Sequence, residues 1–224
     1  MPTSSPAALL LPLALALPLA AQALCTSDGV PQPSAVLERF VSADCADCWR
    51  DRTTPEPAAG TIAIDWVVPG AQGEDAPLSA VALEDGRERL QALGKPLPAR
   101  SDAVFARRQG KPVPLRLAQG EPFNDYIGTS MEFRSAGREA WQAWLLLVED
   151  LPAGTEGSPV ERHLVRNVFR PEWGTPAGRS AGALAETRSM QIHPGAHPER
   201  LRLVAVLADA RGHIRAISRT ACTP

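Results

Sequence analysis

Two cysteines separated by two residues, Cys45-Ala46-Asp47-Cys48, follow closely on the apolar run Val36-Leu37-Glu38-Arg39-Phe40-Val41. No other stretch restricts the fold as tightly. The run is apolar and β-branched enough to be a buried strand, and Ser42-Ala43-Asp44 breaks it. Asp47, Trp49 and Arg50 can carry the cysteines into a first helical turn. That helix is cut short, because Pro55 and Pro57 follow within two turns and proline disfavours helix for itself and its predecessor. After Gly60, the run Thr61 to Val68 reads as a second buried strand.

Strand, short helix and strand make a βαβ-like unit, with the cysteines at the carboxyl end of its first strand, where reactive groups of parallel sheets sit. Cys-x-x-Cys at such a junction is how a thioredoxin-like fold presents a redox pair. The unpaired N–H groups and dipole of the helix favour a thiolate on Cys45, which is then expected to attack while Cys48 resolves. The alternative is a permanent short-range disulfide, with the protein a non-catalytic binding or structural module.

Beyond a modest helix from Arg87 to Leu93 and a Pro-rich link from Pro96 to Arg100, the pattern turns to β. Strands are expected over Val113–Ala118, Thr129–Ser135, Trp141–Glu149, Val160–Phe169, Arg188–His193, Leu201–Ala208 and His213–Arg219, with Asp209–Gly212 as a hairpin turn. The expected fold is therefore α+β: a reduced thioredoxin-like unit over 24–112, then an antiparallel, sandwich-like β-rich unit over 113–224. Residues 1–23 read as a signal peptide. The apolar run Ala7 to Ala20 is short for a bilayer and interrupted by Pro12 and Pro18, and Ala21-Gln22-Ala23 has the small-x-small form of a cleavage site. The mature protein would start near Leu24, in the periplasm or outside the cell, with membrane contact only during export.

Cysteine usage fits an oxidising compartment: there are four, Cys25, Cys45, Cys48 and Cys222, and four allow three pairings. Cys25 and Cys222, at the two ends of the mature chain, could be bridged if the termini meet; loop-closure arithmetic then gives an upper figure of about 5 kcal/mol. A net charge of −2 and the lack of a long basic block argue against nucleic-acid binding.

The stretch Leu37 to Cys48 resembles the opening of bacterial secreted proteins of the family called domain of unknown function 1223, which are thioredoxin-like. Ala63-Ile64-Asp65-Trp66 is similar to their next strand, Arg162-His163-Leu164-Val165-Arg166 to a later one, and the closing hairpin fits. The resemblance implies the fold and a cis-proline facing the cysteines, for which Pro98 and Pro114 are candidates. It departs from the family in the shortened helix and in Asp65, which lacks the usual preceding His and following Tyr.

Asp44 and Asp47 flank the pair. Their carboxylates oppose a thiolate on Cys45 by about 1 kcal/mol, roughly what the helix dipole contributes in the other direction, so Cys45 is expected to stay nearer an ordinary thiol than a strongly acidic one. They could equally cap the helix. Asp65 is a candidate proton relay to the resolving thiol, or the exposed finish of a strand. His193 and His197 have His-x-x-x-His spacing and, with Cys45 and Cys48, the residue types of a zinc set; Pro194 and Pro198 stiffen that segment, and neither metal nor cofactor is expected. The implied partners are protein thiols or disulfides. Nothing in the sequence sets the oligomeric state.

Overall fold

The structure, a computed structural model, describes residues 25–134, 140–173 and 183–222; the expected signal peptide lies outside them. The described residues are mostly β-sheet with two short α-helices and three 3-10 turns, an α+β mixture. In order come β1 (Cys25–Thr26), β2 (Ala35–Ser42), α1 (Ala46–Trp49), β3 (Thr61–Val68), α2 (Glu84–Ala92), β4 (Ser101–Arg107), β5 (Leu115–Phe123) and β6 (Tyr126–Arg134). There follow β7 (Trp141–Leu151), β8 (Arg162–Phe169), β9 (Ala183–Gln191), β10 (Leu201–Asp209), β11 (Ile214–Arg219) and β12 (Ala221–Cys222).

One sheet has seven strands in the order β11-β10-β7-β8-β3-β2-β4, the other five in the order β12-β1-β5-β6-β9. β2 and β3 run parallel from Ala35↔Thr61 to Ser42↔Val68, and β3 meets β8 in parallel at Asp65↔Leu164. The remaining neighbours are antiparallel. Because the seven-stranded sheet takes β2, β3 and β4 from one side of residue 112 and β7, β8, β10 and β11 from the other, a division there does not divide the core. One apolar cluster joins Val36, Phe40 and Ile64 to Leu146, Val204 and Ile217. The link expected near Pro96–Arg100 runs straight into β4, an edge strand paired with β2. Its alternation is weak and its residues are mostly exposed, so no periodic signal marks it.

The central strands are buried on both faces, which is why they read as continuous apolar runs. Strand alternation sends Val36, Glu38 and Phe40 to the face covered by α2, and Leu37, Arg39 and Val41 to the other. On the α2 face, Trp66 is 1% exposed, stacked on Phe40 and met edge-on by Trp144. Burying a ring this size contributes roughly 3 kcal/mol. Gly86 lets α2 come close, since a Cβ there would meet Val68 Cγ1 at 2.7 Å. The opposite face is divided. Over β7 and β10 it packs on the five-stranded sheet through Leu145, Leu147, Leu203 and Leu117, Met131 and Phe133. Over β2, β3 and β8 it is covered by α1 and the loops around it, and the cysteine pair lies there.

Candidate functional site

The loop after β2 is held to the sheet before the cysteines begin. Ala43 N donates to Val68 O, and Ala43 O accepts from Leu78 N. Cys45 then occupies the N-cap of α1, with no side chain capping the helix, and α1 ends one turn later at Trp49. Cys45 and Cys48 are joined in a disulfide. Cys45 is 8% and Cys48 5% exposed, and both pack with Val41 beneath Leu78. A helix of one turn has little dipole to lend Cys45, so the electrostatic reason for expecting a thiolate on that sulfur is weak here.

A cavity of about 320 Å³ opens beside the pair, lined by Cys48, Arg39, Arg162, Thr54, Ser101 and Asp102 among others; Cys45 is not in its wall. β4 brings its far wall into place, with Ser101 opposite Val41 and Arg100 O accepting from Ser42 N. Pro98 lies three residues before β4, whereas Pro114 directly precedes β5 in the other sheet. Among the described residues no peptide bond is cis, so neither proline has the form that the resemblance implies.

Below the cavity, Asp65 is fully buried and clamped, not the exposed end of a strand. Its Oδ2 accepts from Arg39 Nη2 at 2.6 Å and from His163 N at 2.8 Å; its Oδ1 accepts from Arg162 Nη1 at 3.0 Å. Arg162, with a side chain 0% exposed, also donates to Ser158 Oγ, Trp49 O and Thr54 Oγ1, and its guanidinium lies over the Trp49 ring at 4.7 Å. Arg39 donates to Pro55 O and Glu161 O, while its buried Nε has no partner among the described residues. Two guanidinium groups thus share one carboxylate and pin the backbone that follows Cys48. Burial holds the Arg162 pKa below its ordinary value, against the opposing pull of Asp65.

The flanking acids are occupied elsewhere. Asp44 accepts from Ala71 N at 2.7 Å and Gln72 N at 3.2 Å, and it requires glycine at 70, where a Cβ would sit 2.2 Å from its carboxylate. Asp47 is exposed and 3.8 Å from Arg50. Neither side chain caps α1. His197 lies near Glu199 and Glu156 and its N donates to Glu149, while His193 lines a separate cavity beside Phe123. With both cysteines in a disulfide, the Cys₂His₂ set is not assembled, and no group of three metal-ligating side chains occurs among the described residues.

Sequence reasoning did not single out Arg39 and Arg162, nor the neighbouring pairs. Glu38 accepts from Arg89 on both oxygens, at 2.8 and 2.6 Å, and from Trp66 Nε1. Glu149 pairs with Arg166. Asp150 meets His163 Nδ1 at 2.8 Å and Arg219 at 2.5 Å; burial opposes its ionisation, but these partners bring its pKa below the usual carboxylate value. A signal was available, because a charged residue inside a wholly apolar strand requires a buried partner.

The two disulfides, Cys45–Cys48 and Cys25–Cys222, leave no cysteine free among the described residues, and such bonds persist in oxidising environments. No helix among these residues is long and apolar enough to cross a membrane. No protein-family model, curated protein or solved structure matches the chain.

Proposed function

We propose that the protein is an exported thiol–disulfide redox protein of thioredoxin-like type, exchanging electrons with protein thiols or disulfides through Cys45 and Cys48. The observation that carries this reading is the placement of the bridge: it closes only three residues, at the carboxyl end of the first strand of a parallel pair, with an open cavity against Cys48. The order β2-α1-β3-α2-β4 supports it, since β4 returns antiparallel to β2 and brings Ser101 into the cavity wall that holds Cys48. A second reading, in which both disulfides are staples of a binding or structural module, is favoured by the burial of both cysteines and by the trans Pro98 peptide.

The reduction potential of Cys45–Cys48, measured by equilibrating the protein with glutathione buffers, separates the two. A value above about −270 mV, with Cys25–Cys222 still oxidised, is the expected result; a value below about −300 mV assigns the pair to structure.

A further inference from the structure

Resting on that redox reading, we infer that Cys48, not Cys45, is the sulfur that an incoming thiolate attacks, and that Arg39 and Arg162 stabilise the thiolate when Cys48 is released. The two residues differ little in overall exposure, so direction of access decides. The cavity wall contains Cys48 and omits Cys45. The same wall carries two buried guanidinium groups that share a single buried carboxylate, and Arg39 Nε is a buried donor with no partner among the described residues. Guanidinium groups beside a thiol lower its pKa, which favours Cys48 as the leaving sulfur in the later step that releases it, while access through the cavity decides which sulfur is attacked first. Two acids in the same wall, Asp51 and Asp102, offset part of this charge, and Asp51 acts on Arg162 through space. Asp51 Oδ1 accepts from Thr53 N and Oγ1, Asp102 Oδ1 accepts from Ala103 N, and both residues are exposed to water.

The exchange balances without a further reagent. A substrate thiolate attacks Cys48 Sγ; the Cys45–Cys48 bond breaks, and its electron pair leaves on Cys45, which takes a proton from water. A second substrate thiolate then attacks the substrate sulfur of the mixed disulfide. The substrate disulfide forms, and Cys48 departs as a thiolate held by the guanidinium groups. Two substrate thiols are oxidised and the protein disulfide is reduced.

The test uses Cys45→Ser and Cys48→Ser variants, each with Cys25–Cys222 intact, reacted with glutathione disulfide from pH 5 to 9 and followed by mass spectrometry. The variant that retains Cys48 is expected to form its mixed disulfide several-fold faster at pH 6, because more of it is thiolate there even though a more acidic thiolate is a weaker nucleophile. Arg39→Gln added to that variant should lose this advantage at pH 6 but keep the rate at pH 9, and Arg39→Lys should restore it. Faster reaction of the variant retaining Cys45, no reaction of either, or a pH profile unmoved by Arg39→Gln overturns the inference. An exchangeable potential with Cys45 the faster sulfur refutes the inference alone. A potential below about −300 mV with Cys48 the faster sulfur refutes the redox reading alone.

Discussion

The same covalent bond does different work at the two ends of this molecule. Cys25 and Cys222 lie 197 residues apart in sequence and directly opposite each other on β1 and β12, two strands of two residues each. Cys45 and Cys48 are three apart, at the start of a one-turn helix. Closing the long loop removes far more freedom from the unfolded chain. Chain-entropy arithmetic gives about 5 kcal/mol for it and roughly 2 kcal/mol for the short loop. A fold can open the second bridge and remain folded, which an exchangeable pair requires. It cannot lightly open the first.

That contrast can be broken at three points. Replacing both Cys25 and Cys222 by alanine should have the largest effect, a loss of about 4–5 kcal/mol visible as a lower urea midpoint. If the midpoint barely moves, the long bridge is not the staple. Asp65→Asn comes next, at about 3 kcal/mol, because it leaves two buried guanidinium groups without their carboxylate. Replacing both Cys45 and Cys48 by alanine should cost least, about 2 kcal/mol or below. If that double variant loses more than Asp65→Asn, the disulfide and not the charge cluster holds the region around α1.

The ranking bears on what could be read in advance. β3 was legible to the residue, because a central parallel strand buried on both faces leaves the unbroken run Thr61–Val68. The β10–β11 hairpin was legible because Asp209 fixes its turn locally, accepting from Arg211 N and His213 N. β4 was not, because an edge strand is recognised by its partner and not by its own exposed residues. The cysteine pair announced itself, but its surroundings did not. Arg39 and Arg162 are 123 positions apart in sequence, and only the parallel pairing of β3 with β8 brings them to one carboxylate.

That pairing also sets an order of assembly. Asp65 takes its first guanidinium from 26 residues upstream and its second from 97 residues downstream. A chain that emerges from its amino end therefore presents β2 and β3 long before β8, β7 and β10 can cover the free edge of β3. Until then the parallel pair is an open template beside a half-compensated charge. High contact order of this kind slows the closing step, and the exposed edge invites pairing with another chain in the interval. The short disulfide can close early and locally, whereas the long one must wait for the last strand.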